Sequence, residues 1–409
     1  MPFDPREVLV PSYMPDAVWG LQTDGLQRGT PHGRAAPPPA PGPQAWRACR
    51  TVRPNPKNPM AFLRKNFPSV PVPSPAAAGG TAPACAQVVV ITGASSGIGH
   101  ATALAFAARG ASLVLAARNA DTLAPVAMAC RNAGAAAALG VPTDVTDPEA
   151  VAHLASTALR HYGRIDVWVN GVGVGAVGRF DETPLQAHRQ VVETNLIGHL
   201  NGAHAALRHF RERGRGTLIN MISVGGWVPA PFAAAYTASK FGLRGLSESL
   251  RAEVSDLPDV HVCDVAPTWV DSPGLSHGAN YTGHHLHPRV PLLDPRRVAH
   301  TVVALAQAPR PRAVTWMGAA ALPGRIAHAV APQGLGAFMR WATSRALNKA
   351  RPMPHSDGNL FTPSRATGID GGQRKAQRTA VERVAALGVL GLAIGIWAAR
   401  RPAAPRRGD

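Results

Sequence analysis

The 409 residues, 45% of them hydrophobic, suffice for one large domain or two small ones. The net charge of +18 is unevenly spread: residues 88–319 carry 19 basic and 16 acidic residues, whereas residues 320–409 carry 14 and 4. A near-neutral centre excludes a nucleic-acid-binding core, whose basic stripe would lie on the folded domain, and the basic tail suits a membrane surface or plain solvation.

Eighteen of the chain's 39 prolines lie in residues 1–87. Few apolar positions there repeat at any period, so the burial that offsets chain entropy is missing and residues 1–86 are expected to be a disordered, Pro-rich extension. Met60 opens M-A-F-L-R-K-N-F and reads as an alternative start, which would leave residues 1–59 untranslated. The N-terminus shows no apolar h-region of a secretory signal, and Asp4, Glu7, Asp16 and Asp24 argue against a transit peptide.

Order is expected from Gln87. Val88 to Ile91 is a continuous β-branched run, as in a strand buried on both faces of a parallel sheet. It leads into Thr92-Gly93-Ala94-Ser95-Ser96-Gly97-Ile98-Gly99 and then an Ala-rich helix to about Arg109. In this strand–turn–helix context Gly93 permits the tight turn, Gly97 lets the backbone approach a pyrophosphate, and Gly99 allows close helix packing. The helix N-terminus then faces the phosphates. A second strand, Ser112–Ala117, ends at Arg118, where an NAD site would place an acidic residue for the ribose hydroxyls. A guanidinium suits a 2′-phosphate, so NADP(H) is expected over NAD(H), a solvated surface arginine being the plainer reading.

The alternation continues through a helix at about 120–133, a short strand into Thr143-Asp144-Val145, a helix at 148–162 and a strand Asp166–Val169. Asn170-Gly171-Val172-Gly173 follows at that strand's carboxyl end, where ligands bind in such sheets. A long helix is expected over 184–213, containing Asn195, then a strand Thr217–Ile222 that delivers Ser223. A helix through Tyr236 to about Asp256, a strand Val260–Ala266, a helix at 295–307 and a strand at 313–316 complete a doubly wound parallel α/β sheet. Tyr236 and Lys240 stand four residues apart, on one face of their helix. An adjacent ammonium favours phenolate over phenol, which would make Tyr236 a proton donor and acceptor, and Ser223 is placed to hold the oxygen that Tyr236 protonates. Alone, such a pair is an ordinary helix-surface feature.

Together, Thr92–Gly99, Asp144, Asn170–Gly173, Asn195, Ser223, Tyr236 and Lys240 make residues 87–317 resemble the short-chain dehydrogenase/reductase family, in its compact subfamily with the T-G-x-x-x-G-x-G fingerprint. The resemblance implies a Rossmann-type catalytic domain over 87–318. It also implies Tyr236 as acid/base, Ser223 orienting the substrate oxygen, and Lys240 binding the nicotinamide ribose and lowering the tyrosine pKa. Asn195 would hold a relay water. Ser95, Ser96, Ile98, Asn170 and Gly171 would line the cofactor with the glycines, and Asp144 and Val145 would sit at the adenine. Pro267, Val270 and Ser272 resemble the segment beside the nicotinamide. Departures are N-G-V-G for N-N-A-G and P-T-x-V-x-S for P-G-x-V-x-T, neither of which removes a catalytic group. The resemblance further implies homodimers or homotetramers through the helices at 184–213 and 234–256.

The expected activity is hydride transfer between NADP(H) and a carbonyl/secondary alcohol pair of apolar character. Epimerase or dehydratase chemistry on the same fold and a non-catalytic NADP(H)-sensing module are the rivals. Trp227, Val228 and Phe232 are candidates for an apolar pocket or for core. His277, His284, His285 and His287 lie in a polar loop without acidic partners, so solvated histidines rather than a metal site are expected. Cys49, Cys85, Cys130 and Cys263 show no C-x-x-C spacing, which points to a reducing compartment. Beyond 318, residues 319–379 read as an extension of two amphipathic helices broken at Pro323-Gly324, capping the cleft or resting on lipid, followed by a polar linker. Val384 to Ala399 is free of charge between Arg383 and Arg400. At about 24 Å as a helix it is short for a bilayer, but arginines can snorkel at its ends. Residues 380–401 are therefore expected to anchor the enzyme at the cytoplasmic face of a membrane.

Overall fold

A computed structural model describes residues 86–286, 290–319, 321–365 and 367–374. The expected extension over 1–86 (all but Ala86), His287 and the apolar run 384–399 lie outside the described residues. Strands β1 (Val88–Thr92), β2 (Ser112–Ala117), β3 (Ala137–Pro142), β4 (Val167–Asn170), β5 (Ala176–Val177), β6 (Arg215–Met221), β7 (Asp259–Pro267), β8 (Ala279–Asn280) and β9 (Val314–Met317) alternate with helices. These are α1 (Gly97–Ala107), α2 (Ala120–Asn132), α3 (Pro148–Tyr162), α4 (Leu185–Val192), α5 (Gly198–Arg213), α6 (Ala234–Glu253), α7 (Gly274–His277), α8 (Pro295–Gln307), α9 (Ala321–Val330) and α10 (Pro332–Leu347).

Seven strands form one sheet in the order β3-β2-β1-β4-β6-β7-β9, and every pairing is parallel. The expected doubly wound sheet is therefore present. Its unbroken apolar strands follow from burial on both faces. Val89, Ile91, Leu113 and Leu115 meet α1, α2 and α8 through Phe106, Leu123 and Val302. Val90, Val114 and Trp168 on the other face meet α3 and α5 through Leu154 and Phe210. Chain order reverses between β1 and β4, which opens a crevice at their carboxyl ends.

Three local features differ from expectation. The helix over 184–213 contains a π turn, Glu193–Ile197, between α4 and α5. Pro323 and Gly324 lie inside the first turn of α9, where proline is tolerated, and the break falls at Ala331 before Pro332. The described residues 361–365 and 367–374 do not hang free as a linker; they lie hydrogen-bonded along the sheet's carboxyl edge, through Gly97, Asp271 and Arg296 among others. No helix among the described residues is long and apolar enough to cross a membrane.

Candidate active site

The turn after β1 packs tightly. A side chain at Gly99 would overlap the Gly93 carbonyl, so only glycine lets α1 come this close. Ser96, the residue before α1, makes no side-chain cap, and the Gly97 N–H points outward to an oxygen, the Gly368 carbonyl, at 2.9 Å. Ser95, Ser96 and Ile98 are half-buried around this point. Across the crevice Thr92 Oγ1 donates to the Val169 carbonyl and accepts the Gly171 N–H at 3.1 Å, tying β1 to the turn after β4. Asn170 is buried in a structural network with Trp168, His199 and Asn220.

The catalytic candidates converge from three elements. Asn195 is fully buried on the π turn, a distortion common at functional sites. Its amide Nδ2 donates to the Val174 carbonyl at 2.9 Å and to Ser239 Oγ at 3.2 Å, and its Oδ1 accepts the Val174 N–H at 2.9 Å. Ser239 in turn donates to the Tyr236 carbonyl at 2.7 Å, linking the π turn to α6. Ser223 lies two residues beyond the end of β6; its hydroxyl accepts the Gly225 N–H at 3.0 Å, reaches the Pro267 carbonyl at 3.4 Å and is a hydrogen-bond partner of the Tyr236 phenol. Lys240 is buried, and its Nζ donates to the Met221 carbonyl at 2.9 Å and lies 5.8 Å from the Tyr236 ring centre.

The electrostatics run against the expectation of a readily ionised tyrosine. Burial raises the Tyr236 phenol above its ordinary range, with the Ser223 hydrogen bond as a smaller opposing influence. Burial also lowers Lys240 to about 7. An ammonium only partly charged near neutral pH, and turned toward a backbone carbonyl, does little to favour phenolate. Tyr236 is thereby held as a phenol, the form that donates a proton.

The remaining residues divide. Asp144 is exposed and caps the Thr146 N–H at 3.0 Å, while Val145 is buried against Gly198. Arg118 donates to the carbonyls of Asn359 at 2.7 Å and Leu360 at 3.0 Å. Pro267 ends β7 and Val270 is buried; a Cβ on Gly97 would lie 3.1 Å from the Ser272 side chain. Trp227 and Val228 are core: they pack with Leu243 and Ala266, Leu335 of α10 joins them, and Trp227 meets Trp316 edge-on at 4.1 Å. Phe232 is half-buried with a positive φ of 66°. His277 pairs with Ser364 and His284 with the Thr282 carbonyl. Among the described residues no three His, Cys, Asp or Glu side chains gather as metal ligands. Sequence reasoning missed Ser239, whose place three residues after Tyr236 is legible as one helix face. It also missed buried Asp271, which accepts the N–H groups of Gln373 and Arg374.

A parallel sheet with a glycine turn at its switch point and a Ser–Tyr–Lys group at its carboxyl edge defines a dinucleotide-dependent oxidoreductase fold. Residues 87–279 match the short chain dehydrogenase family profile. An uncharacterized oxidoreductase of Staphylococcus saprophyticus is 38% identical over 167 residues, 41% of this chain and 67% of that one. The 11-beta-hydroxysteroid dehydrogenase A of Arachis hypogaea is 38% identical over 187 residues, 46% of this chain and 53% of that one. A solved short-chain dehydrogenase from Streptomyces avermitilis superposes with a TM-score of 0.54 at 28% identity, covering 64% of this chain and 98% of that one. The chain belongs to the short-chain dehydrogenase/reductase family. It spans between about half and two-thirds of the length of these curated relatives.

Proposed function

We propose that this chain is an NADP(H)-dependent oxidoreductase acting on a carbonyl/secondary alcohol pair of apolar character. The observation that carries the reading is the convergence of Ser223, Tyr236 and Lys240 from β6 and α6, braced by Asn195. The donor set fits a dinucleotide: a helix N-terminus with an outward N–H at Gly97 and a guanidinium at the end of β2, both already holding oxygen acceptors. NADPH, when bound, supplies the hydride. Tyr236 donates its phenolic proton to the substrate oxygen as negative charge develops there, and Ser223 donates a hydrogen bond to the same oxygen. Lys240, buried beside Tyr236, holds the ribose end of the cofactor. The hydroxysteroid name of the Arachis relative supports a bulky apolar substrate. Ketones and secondary alcohols screened by nicotinamide absorbance test the reading; no turnover with any of them in either direction would count against it.

Cofactor choice has its own test. Arg118→Ala should weaken NADPH binding far more than NADH binding, since only NADPH has a 2′-phosphate to lose. Arg118 also holds the carbonyls of Asn359 and Leu360, but any effect through that contact applies equally to both cofactors. The ratio of the two dissociation constants by fluorescence titration therefore isolates the phosphate contribution. An unchanged ratio would place Arg118 away from the 2′ position.

A further inference from the structure

The segment from Asp357 to Arg374 takes the groups that the proposed function assigns to the cofactor. The Asn359 and Leu360 carbonyls accept from Arg118. The Gly368 carbonyl accepts the Gly97 N–H at the head of α1, and the Thr367 carbonyl meets His100 Nδ1 at 2.7 Å one turn along. These are neutral oxygens on donors suited to phosphate oxygens. Leu360 is fully buried in the cluster of Val174, Ala176, Ala235 and Tyr281, against which Tyr236 packs. The segment thus runs from the Tyr236 end of the cleft to the head of α1.

Both ends are fastened. Tyr281 donates to the Asp357 carboxylate at 2.6 Å, and the Asn359 N–H donates to the His277 carbonyl at 2.8 Å. At the far end the Asp271 carboxylate accepts the N–H groups of Gln373 and Arg374 at 3.0 and 2.9 Å, and its carbonyl accepts the Gly371 N–H. Arg296 holds Asp370 with two parallel hydrogen bonds at 2.8 and 2.9 Å. Gly371 lies so close that a Cβ would come 2.7 Å from the Ser272 carbonyl oxygen and 2.8 Å from Asp271 Oδ1. At that position any side chain meets the Ser272 backbone, and the contact can be kept only if one of them moves.

We propose that residues 357–365 and 367–374 are a built-in competitor of the dinucleotide, docked in the cleft of their own chain and displaced when the cofactor binds. The inference rests on the reading of this cleft as the NADP(H) site. The Gly97 N–H carries one proton, so it serves either the Gly368 carbonyl or a phosphate oxygen. Apparent cofactor affinity is then the intrinsic affinity reduced by the fraction of molecules whose cleft is open.

The test uses the full chain and two variants in the segment itself, Gly371→Val, which blocks docking sterically, and Asp370→Lys, which sets a cation against Arg296. If the cleft is filled about nine-tenths of the time, each variant should bind NADPH up to about tenfold more tightly than wild type, with faster association. Nicotinamide fluorescence, at equilibrium and by stopped flow, reads both quantities. In the wild type, saturating NADPH should speed tryptic cleavage at Arg365 and Arg374, a measurement that needs no variant. Unchanged or weaker NADPH binding in both variants, or protection of those sites by NADPH, would overturn the competitor while leaving the dinucleotide reading in place. Absence of NADPH binding to all three proteins would overturn both.

Discussion

Tyr236→Phe should bind NADPH as the wild type does and turn over about 10²–10⁴-fold more slowly, the range general acid catalysis contributes. The substitution removes one oxygen and leaves the ring against Gly225, where a Cβ would lie 3.1 Å from it. It leaves Lys240 on the Met221 carbonyl and Ser239 on the backbone of residue 236. The loss is therefore one of proton donation, and it should appear in kcat and kcat/KM together. Burial keeps the phenol protonated well past neutral pH, so wild-type reduction should not fall between pH 6 and pH 8 through loss of this proton. Steady-state reduction of any substrate found in the screen decides the matter. Turnover within a few-fold of wild type would remove Tyr236 from the acid/base role.

The parts of the site legible in the sequence are those with a local physical signature. Helices α3 and α8 start where an Asp precedes a Pro, and in both the aspartate accepts an N–H of the first turn, Asp147 from Glu149 and Asp294 from Arg296. The switch-point crevice followed from the order of strands and helices, because apolar runs buried on both faces force a parallel, doubly wound sheet. The π turn was not legible, since its residues continue the apolar period of a helix. Nor was the β5–β8 pair, two residues long on each side. The docking of residues 357–365 and 367–374 was hidden for another reason. Its contacts to Gly97, Arg118 and Asp271 run through backbone carbonyls and N–H groups, which every residue carries and no composition reveals. Arg118 was singled out for its phosphate chemistry, and the structure shows the same donors satisfied by peptide oxygens.

Arg251→Met should destabilise the fold by about 3–5 kcal/mol at pH 8, the cost of leaving a buried charge without its partner. Asp264 lies on β7, three residues before Pro267, with its side chain fully shielded from solvent. Arg251 of α6 donates to its Oδ2 at 2.9 Å. Burial raises the carboxyl to about 6, and Arg251 opposes that shift without cancelling it. A carboxyl that binds its proton more tightly folded than unfolded contributes most stability below its ordinary range. That contribution is lost as the pH rises through about 6, and amounts to about 3 kcal/mol for a shift of about two units. In Arg251→Met the opposing cation is gone, so the variant should recover part of its deficit on acidification, when Asp264 is neutral in the folded state. Urea midpoints at pH 5 and pH 8 should show a smaller gap between wild type and variant at the lower pH. Pairing Arg251→Met with Asp264→Asn should restore most of the loss at pH 8, because the uncompensated charge is then absent. A gap independent of pH, with no recovery in the double variant, would mean that the arginine acts through packing of its stem over β7.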